Sequence, residues 1–191
     1  VLTQQALLLL QRKQPGADSY HRGMDDVIYD LLHGRSIPAS EEITLTNMLH
    51  WEPEDHLICV RIQSQEPDNT ALLEHVLHSD LFNIFPTSYI MFTKMQQCII
   101  INVTRTHYNI SMIRHMISPL CGNFYQYAGI SSPVSGLREL HIAYQQADVA
   151  LQRAFRMRDE HWAIPFCDCS MDYLLTHMQP PFRLRHLVAP Q

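Results

Sequence analysis

The chain has 191 residues, 46% of them hydrophobic and 17% charged, with a formal net charge of −5 when histidines are neutral. That composition is globular, and the length allows one domain with appendages or two small ones. The acid excess argues against nucleic-acid binding by this segment itself, because phosphate contacts need a basic surface. The apolar run "ALLLL" at Ala6 to Leu10 is too short to cross a bilayer and is followed by Gln11, Arg12 and Lys13, so no membrane partner is expected. Five irregularly spaced cysteines and no signal-peptide pattern predict reduced thiols and a cytoplasmic location.

In chain order, residues 1–13 read as the end of a helix that began upstream, and "QPGADSYHRG" reads as a break. Met24, Val27, Ile28, Leu31 and Leu32 recur with helical spacing, and Gly34 is placed to end that helix. Ser40, followed by Glu41 and Glu42, predicts the cap and acidic first turn of a second helix, which runs to about Trp51–Pro53. The period then changes. "HLICVRIQ" predicts a strand, and residues 68–82 predict a helix with Leu72, Leu73, Val76 and Leu77 inward. "SYIMFTK" and "CIIINVT" predict a hairpin with "MQQ" between its strands. Residues 109–120 predict a helix buried through Ile110, Ile113, Met116 and Ile117. "FYQYAGI" predicts a strand, residues 137–156 a helix, "HWAIPF" a last strand, and "MDYLLTHM" one more helix.

From His56 the order is strand, helix, strand, strand, helix, strand, helix, strand. A hairpin demands an antiparallel pair, and helical crossovers are expected to make parallel neighbours. The predicted fold class is therefore α+β: a ferredoxin-like, cyclase-palm mixed sheet of about five strands with packed helices, preceded by a helical segment. The expected organisation is a helical N-terminal segment over 1–52, an α+β domain over 53–175, and a linker over 176–191.

"AGISSPVSGLRELHIAYQQADVAL" resembles the strand-turn-helix of the GGDEF-like domain in bacterial transcription regulators of the PucR/CdaR type. The matching residues are Gly129, Ile130, Ser135, Leu137, Leu140, Tyr144, Ala147, Ala150 and Leu151. "DDVIYDLLHGR" and "LHWEPEDHLICVRI" resemble the stretch that leads into that domain. "PPFRLRHLVAPQ" resembles the linker to the family's C-terminal helix-turn-helix, which the resemblance places after Gln191. Since the chain opens on Val1 and closes on "HLVAPQ", it is read as an excised fragment. The resemblance implies a regulatory, coupling role, a homodimer, DNA contact only through the missing domain, and an unidentified small-molecule effector as a further possible partner.

The chemistry of a working diguanylate cyclase is not legible here. Such an enzyme needs acids at the end of the first strand and on the hairpin to hold divalent metal against a triphosphate, and two glycines at the hairpin tip. This chain has "VRIQSQE", with no acid before Glu66, and Lys94-Met95-Gln96-Gln97-Cys98. No catalytic, cofactor-binding or metal-binding residue is assigned, no cofactor is expected, and the chain is read as a non-enzyme. An alternative keeps a degenerate palm that still binds a nucleotide or small effector.

Other candidates have ordinary readings. "SSPVSG" before a helix could cradle a phosphate, but it has one glycine and no cation before Arg138. It is read as a turn capped by Ser135, with Ala147 and Ala150 small because another backbone lies close. Cys167-Asp168-Cys169 with His161 could suggest zinc if the thiols shared a strand face, but no second ligand pair is in view. The twelve histidines, His75, His78 and His115 among them, are scattered. Asn102-Val-Thr104 and Asn109-Ile-Ser111 match the glycosylation pattern by chance.

Overall fold

A computed structural model describes residues 23–64, 79–93, 96–157 and 162–177. The readings made for residues 1–22, for 65–78 (with His75 and His78), for the hairpin tip at 94–95, for His161 and for 178–191 lie outside the described residues.

The first helix, α1 (Met24–Leu32), buries Val27, Ile28, Leu31 and Leu32, and Gly34 follows it in the left-handed region at φ 71°. The second, α2 (Ala39–Leu49), is capped by the backbone of Pro38 rather than by Ser40, which lies inside it. Proline fixes φ near the value a helix entry needs, so the helix starts earlier than the serine signal. Strand β1 (His56–Ser64) follows, then a helical stretch at residues 79–84. The hairpin is β2 (Tyr89–Thr93) and β3 (Gln96–Asn102). Gln96 and Gln97 therefore belong to the strand and not to the turn. A short helix α3 (Val103–Thr106) replaces the expected end of that strand. Then come α4 (Ile110–Asn123), β4 (Gln126–Ile130), the two-residue β5 (Val134–Ser135), a 3-10 turn at Leu137–Glu139, α5 (Leu140–Arg156), β6 (Ala163–Pro165), a 3-10 turn at Phe166–Asp168, and α6 (Ser170–His177).

The strands form one six-stranded sheet in the order β2-β3-β1-β4-β6, with β5 also on β1. The pairs β1/β3, β1/β4, β1/β5 and β2/β3 are antiparallel, and β4/β6 is parallel. The ferredoxin-like plan is present, but the crossovers do not make parallel neighbours within it. β3 inserts between β1 and β2, and β1 inserts between β3 and β4, so each crossover joins strands that are parallel yet not adjacent. Among the described residues, only the added α5–β6 unit places two parallel strands side by side.

Alternation along β1 divides the core. Ile58, Val60 and Ile62 pack with Ile99, Ile101, Ile113, Ile117, Leu81 and Phe85, under α4 and residues 79–84. Leu57 and Cys59 face the other way, with Ile100, Met91 and residues of α1 and α5. Helices thus cover both faces. The second cover is made by elements outside the βαββαβ core, which explains why α1 buries a full apolar stripe.

Candidate functional site

The pole where cyclase chemistry would sit is the hairpin end of the sheet. β1 reaches Ser64 there without presenting a carboxylate. Gln97 stands on β3 opposite Ile62. It therefore shares Ile62's face, and only 3% of it is exposed. Gln126, opposite Ser64 on β4, is 4% exposed. Among the described residues, the buried side-chain oxygens of both glutamines have no hydrogen-bond partner. Carboxamides carry no charge to hold a divalent cation against a triphosphate, and these point into the layer rather than toward water. Lys94 lies outside the described residues.

On the opposite face the centre of β1 carries Arg61. Its guanidinium hydrogen-bonds and ion-pairs with Asp148 of α5, and it lies 4.5 Å from the centroid of the Tyr144 ring. This is a charge taken into the sheet–helix interface and matched there by a carboxylate and an aromatic face. It ties α5 to β1.

The "SSPVSG" turn has a different structure from a phosphate loop. β4 last pairs Ile130 with Val60, and β5 resumes by pairing Val134 with Leu57. Two residues of β1, Ile58 and Cys59, therefore face three, Ser131, Ser132 and Pro133. That is a β-bulge. Ser131 repairs the ladder across it. Its amide donates to the Cys59 carbonyl at 2.9 Å, and its hydroxyl accepts from the Cys59 amide at 2.9 Å and donates to the Ser132 carbonyl. Ser135 does not cap the helix. It lies in β5, and no side-chain cap bond is made at the start of the 3-10 turn or of α5. Instead its amide donates to the Glu139 carboxylate at 2.8 Å. Gly136 has φ 67°, and a Cβ there would meet the Pro53 carbonyl oxygen at 2.5 Å. The turn is pressed against the α2–β1 connection, and the amides of Ser131, Ser132, Ser135 and Gly136 already donate to protein acceptors.

The packing reading of Ala147 holds. Leu140, Ala143, Ala147, Ala150, Leu151 and Ala154 of α5 are buried, while Tyr144 is only partly so. The close backbone is that of β4. A Cβ on Gly129 would lie 2.0 Å from the Ala147 carbonyl oxygen and 2.4 Å from the Leu151 nitrogen. Glycine is required at that position because the helix main chain rests on it.

At the other end of β1 is a network that the sequence did not reveal. Asp55 accepts from the Glu52 amide at 2.8 Å, from Asn102 Nδ2 at 2.6 Å and from Arg105 Nε at 3.0 Å. Burial pushes its carboxyl up, but the Glu52 amide, Asn102 and Arg105 together outweigh this and hold it below the ordinary range. Beside it lies a recess of about 420 Å³ lined by Thr46, Asn47, His50, Trp51, Glu52, Pro53 and Arg105. Arg105, its cation, is already engaged by Asp55 and by Glu52. The network joins residues 47 and 50 positions apart, so no local pattern announces it. Asn102 also accepts from the Arg105 amide and caps α3, and Asn109 accepts from the Met112 amide and caps α4. Capping and the Asp55 network, not glycan attachment, account for the two asparagines.

Cys167 and Cys169 do not share a strand face. They lie on and just after the 3-10 turn, with Cys167 exposed and Cys169 buried. The Cys169 thiol donates to the Phe166 carbonyl. Among the described residues, no three or more His, Cys, Asp or Glu side chains are gathered so as to hold a metal ion.

A family model described as a GGDEF-like domain matches residues 33–152. The chain belongs to the GGDEF-like domain family. The matched stretch runs from the end of α1 through the bulge and well into α5, so it contains the sheet core and the Gly129 contact. No curated protein and no solved structure gives a match. Among the described residues no helix is long and apolar enough to cross a membrane.

Proposed function

We propose that this GGDEF-like domain is a non-catalytic coupling element of a PucR/CdaR-type transcription regulator. It would relay a signal from its N-terminal side to DNA-binding helices beyond Gln191. One observation carries the reading: α5 touches both the incoming and the outgoing helix. At its start, the His33 ring lies 5.4 Å from the Tyr144 ring, and Gly34 faces His141. At its end, Arg153 ion-pairs with Asp172 of α6 at 3.1 Å. Between these ends, α5 lies on the sheet main chain. A rigid bar with an input and an output contact suits mechanical relay. The non-acidic strand end and the "KMQQC" hairpin support the absence of catalysis.

A second reading is a degenerate palm that retains a nucleotide or other small effector. Gln97 and Gln126 favour it, because two buried carboxamide oxygens that lack partners among the described residues are costly unless a donor meets them. One experiment separates the readings. The protein is titrated calorimetrically with GTP and with ATP in magnesium or manganese, and the mixture is then chromatographed. Neither heat nor product is expected on the coupling reading. Saturable heat without product moves the assignment to the effector-binding palm, and a cyclic dinucleotide absent from a protein-free control refutes both.

A further inference from the structure

The Cys59 and Cys98 thiols meet in the sheet, with sulfurs 3.5 Å apart and exposures of 0% and 4%. Nothing in the coupling role uses them. They are reduced, on adjacent antiparallel strands, and on the face that packs against α5. They are not directly opposed. Cys59 pairs with Ile100, and Cys98 with Arg61, so the cysteines are diagonal neighbours. Diagonal positions in such a pair are about 7–8 Å apart, at or beyond the roughly 4.4–6.8 Å between Cα atoms that a relaxed disulfide spans.

We propose that Cys59 and Cys98 form a reversible oxidation site whose oxidant is hydrogen peroxide. A thiolate of the pair attacks one peroxide oxygen, the O–O bond breaks, and hydroxide leaves with the displaced electron pair and takes a proton to become water. The resulting sulfenic acid is attacked by the other thiol, which forms the S–S bond and releases a second water. The sum is two thiols plus one peroxide to one disulfide plus two waters. A small uncharged oxidant suits a site enclosed in the sheet. Entry is from the hairpin side. β2 is an edge strand of the sheet, and Cys98 follows Gln96, where β3 begins, by two positions. Strand ends open at a lower free-energy cost than centres.

The surroundings set the response. The thiol–thiol hydrogen bond shared with Cys98 and complete burial hold the Cys59 thiol well above its ordinary range, and the nearby Arg61 charge offsets this only in part. Cys59 therefore rests as the thiol, and the site answers sustained rather than trace oxidant. Bond formation must close the sulfur separation from 3.5 Å to about 2.05 Å. β1 is held by neighbours on both sides, whereas the β2–β3 hairpin is held on one. The hairpin is the part that moves, and the strain makes the bond easy to reduce.

The test is hydrogen peroxide on the native chain, followed by alkylation and peptide mapping, with hydrogen exchange on the same samples. The expected result is a Cys59–Cys98 cross-linked peptide pair in the monomer, altered exchange in β2 and β3, and reversal of both by dithiothreitol. Cys98→Ser is expected to abolish the exchange change while exposed Cys167 still oxidises. The proposal is overturned if Cys59 and Cys98 are recovered as alkylated thiols after Cys167 is fully oxidised. It is equally overturned if the cross-link forms only in denaturant.

Discussion

Gly129→Ala tests the central contact of this fold. The added methyl would be built 2.0 Å from the Ala147 carbonyl oxygen, 2.4 Å from the Leu151 nitrogen and 2.9 Å from Leu151 Cβ. Two of the three obstacles are main chain, so no rotamer change relieves the clash. Restoring ordinary carbon–oxygen contact, about 3.3–3.6 Å, would require α5 to lift by more than 1 Å. A gap of 0.5–1 Å already forfeits a quarter to a half of each contact's attraction. The loss would extend along the buried side of α5. Overpacking that side chains can absorb costs about 1–3 kcal/mol; with the backbone as obstacle, about 4 kcal/mol is expected. At about 2–4 °C per kcal/mol for a domain of this size, the melting midpoint should fall by about 8–16 °C. Gly122→Ala is the control. It lies inside α4, and its Cβ would meet only the Trp162 ring, at 3.1 Å from Nε1. Helix propensity favours alanine there by about 1 kcal/mol, so a small effect of either sign is expected. Both variants are measured by chemical denaturation and by thermal melts. A near-wild-type midpoint for Gly129→Ala would refute the backbone contact, and with it the account of why Ala147 is small.

Four further outcomes follow from the same structure. Ala147→Leu should destabilise by about 1–3 kcal/mol in a denaturant titration, because the buried side of α5 has no room for it. Ser131→Ala should cost about 1–3 kcal/mol by leaving the buried Cys59 amide without its acceptor, while Ser135→Ala should stay within about 0.5 kcal/mol; the reverse order would restore Ser135 as the cap. Asp55 has a lowered carboxyl pKa in the folded state, so its stabilisation is complete above its unfolded pKa near 3.9 and is lost as pH falls through the folded value. Asp55→Asn should therefore cost about 1–3 kcal/mol at pH 7, with the gap to wild type closing below about pH 4, and a gap independent of pH would count against the network. At physiological salt, a gel shift with this chain alone should give no specific DNA complex, since its net charge is −5.

The parts of the fold that obey local rules were legible. Residues 137–156 predict a helix that contains α5, and the short runs "HLICVRIQ", "SYIMFTK" and "CIIINVT" predict β1 and the hairpin. Gly34 gave the end of α1 because a left-handed residue after a helix favours glycine. The capping serines misled. Ser40 and Ser135 stand where serine often caps, but Pro38 enters one helix first, and β5 claims the other serine for the sheet. What escaped the sequence was contact between distant positions. The need for glycine at 129 depends on a helix that follows 18 residues later, at Ala147. The Cys59–Cys98 contact joins positions 39 apart, and the Asp55 network spans 47 or more. The order of strands gave the ferredoxin-like plan, but it could not tell that α1 and α5 would close the second face.

That closure bears on how a signal could pass through the domain. α5 is attached to β4 by main-chain contact at Gly129 and to β1 by the ion pair of buried Arg61 with half-exposed Asp148, whereas α1 and α6 reach it through side chains. Side-chain contacts can repack at modest cost; a backbone contact with no spare volume cannot slide without lifting. On the coupling reading, then, a shift of α1 is passed on as a tilt of α5 about the Gly129 contact rather than as a slide along the sheet. The far end of α5 would carry that tilt to α6 through Arg153 and Asp172. Gly129 is in this view the pivot as well as a point of main-chain contact, which explains why a single methyl there should disturb more than the local core.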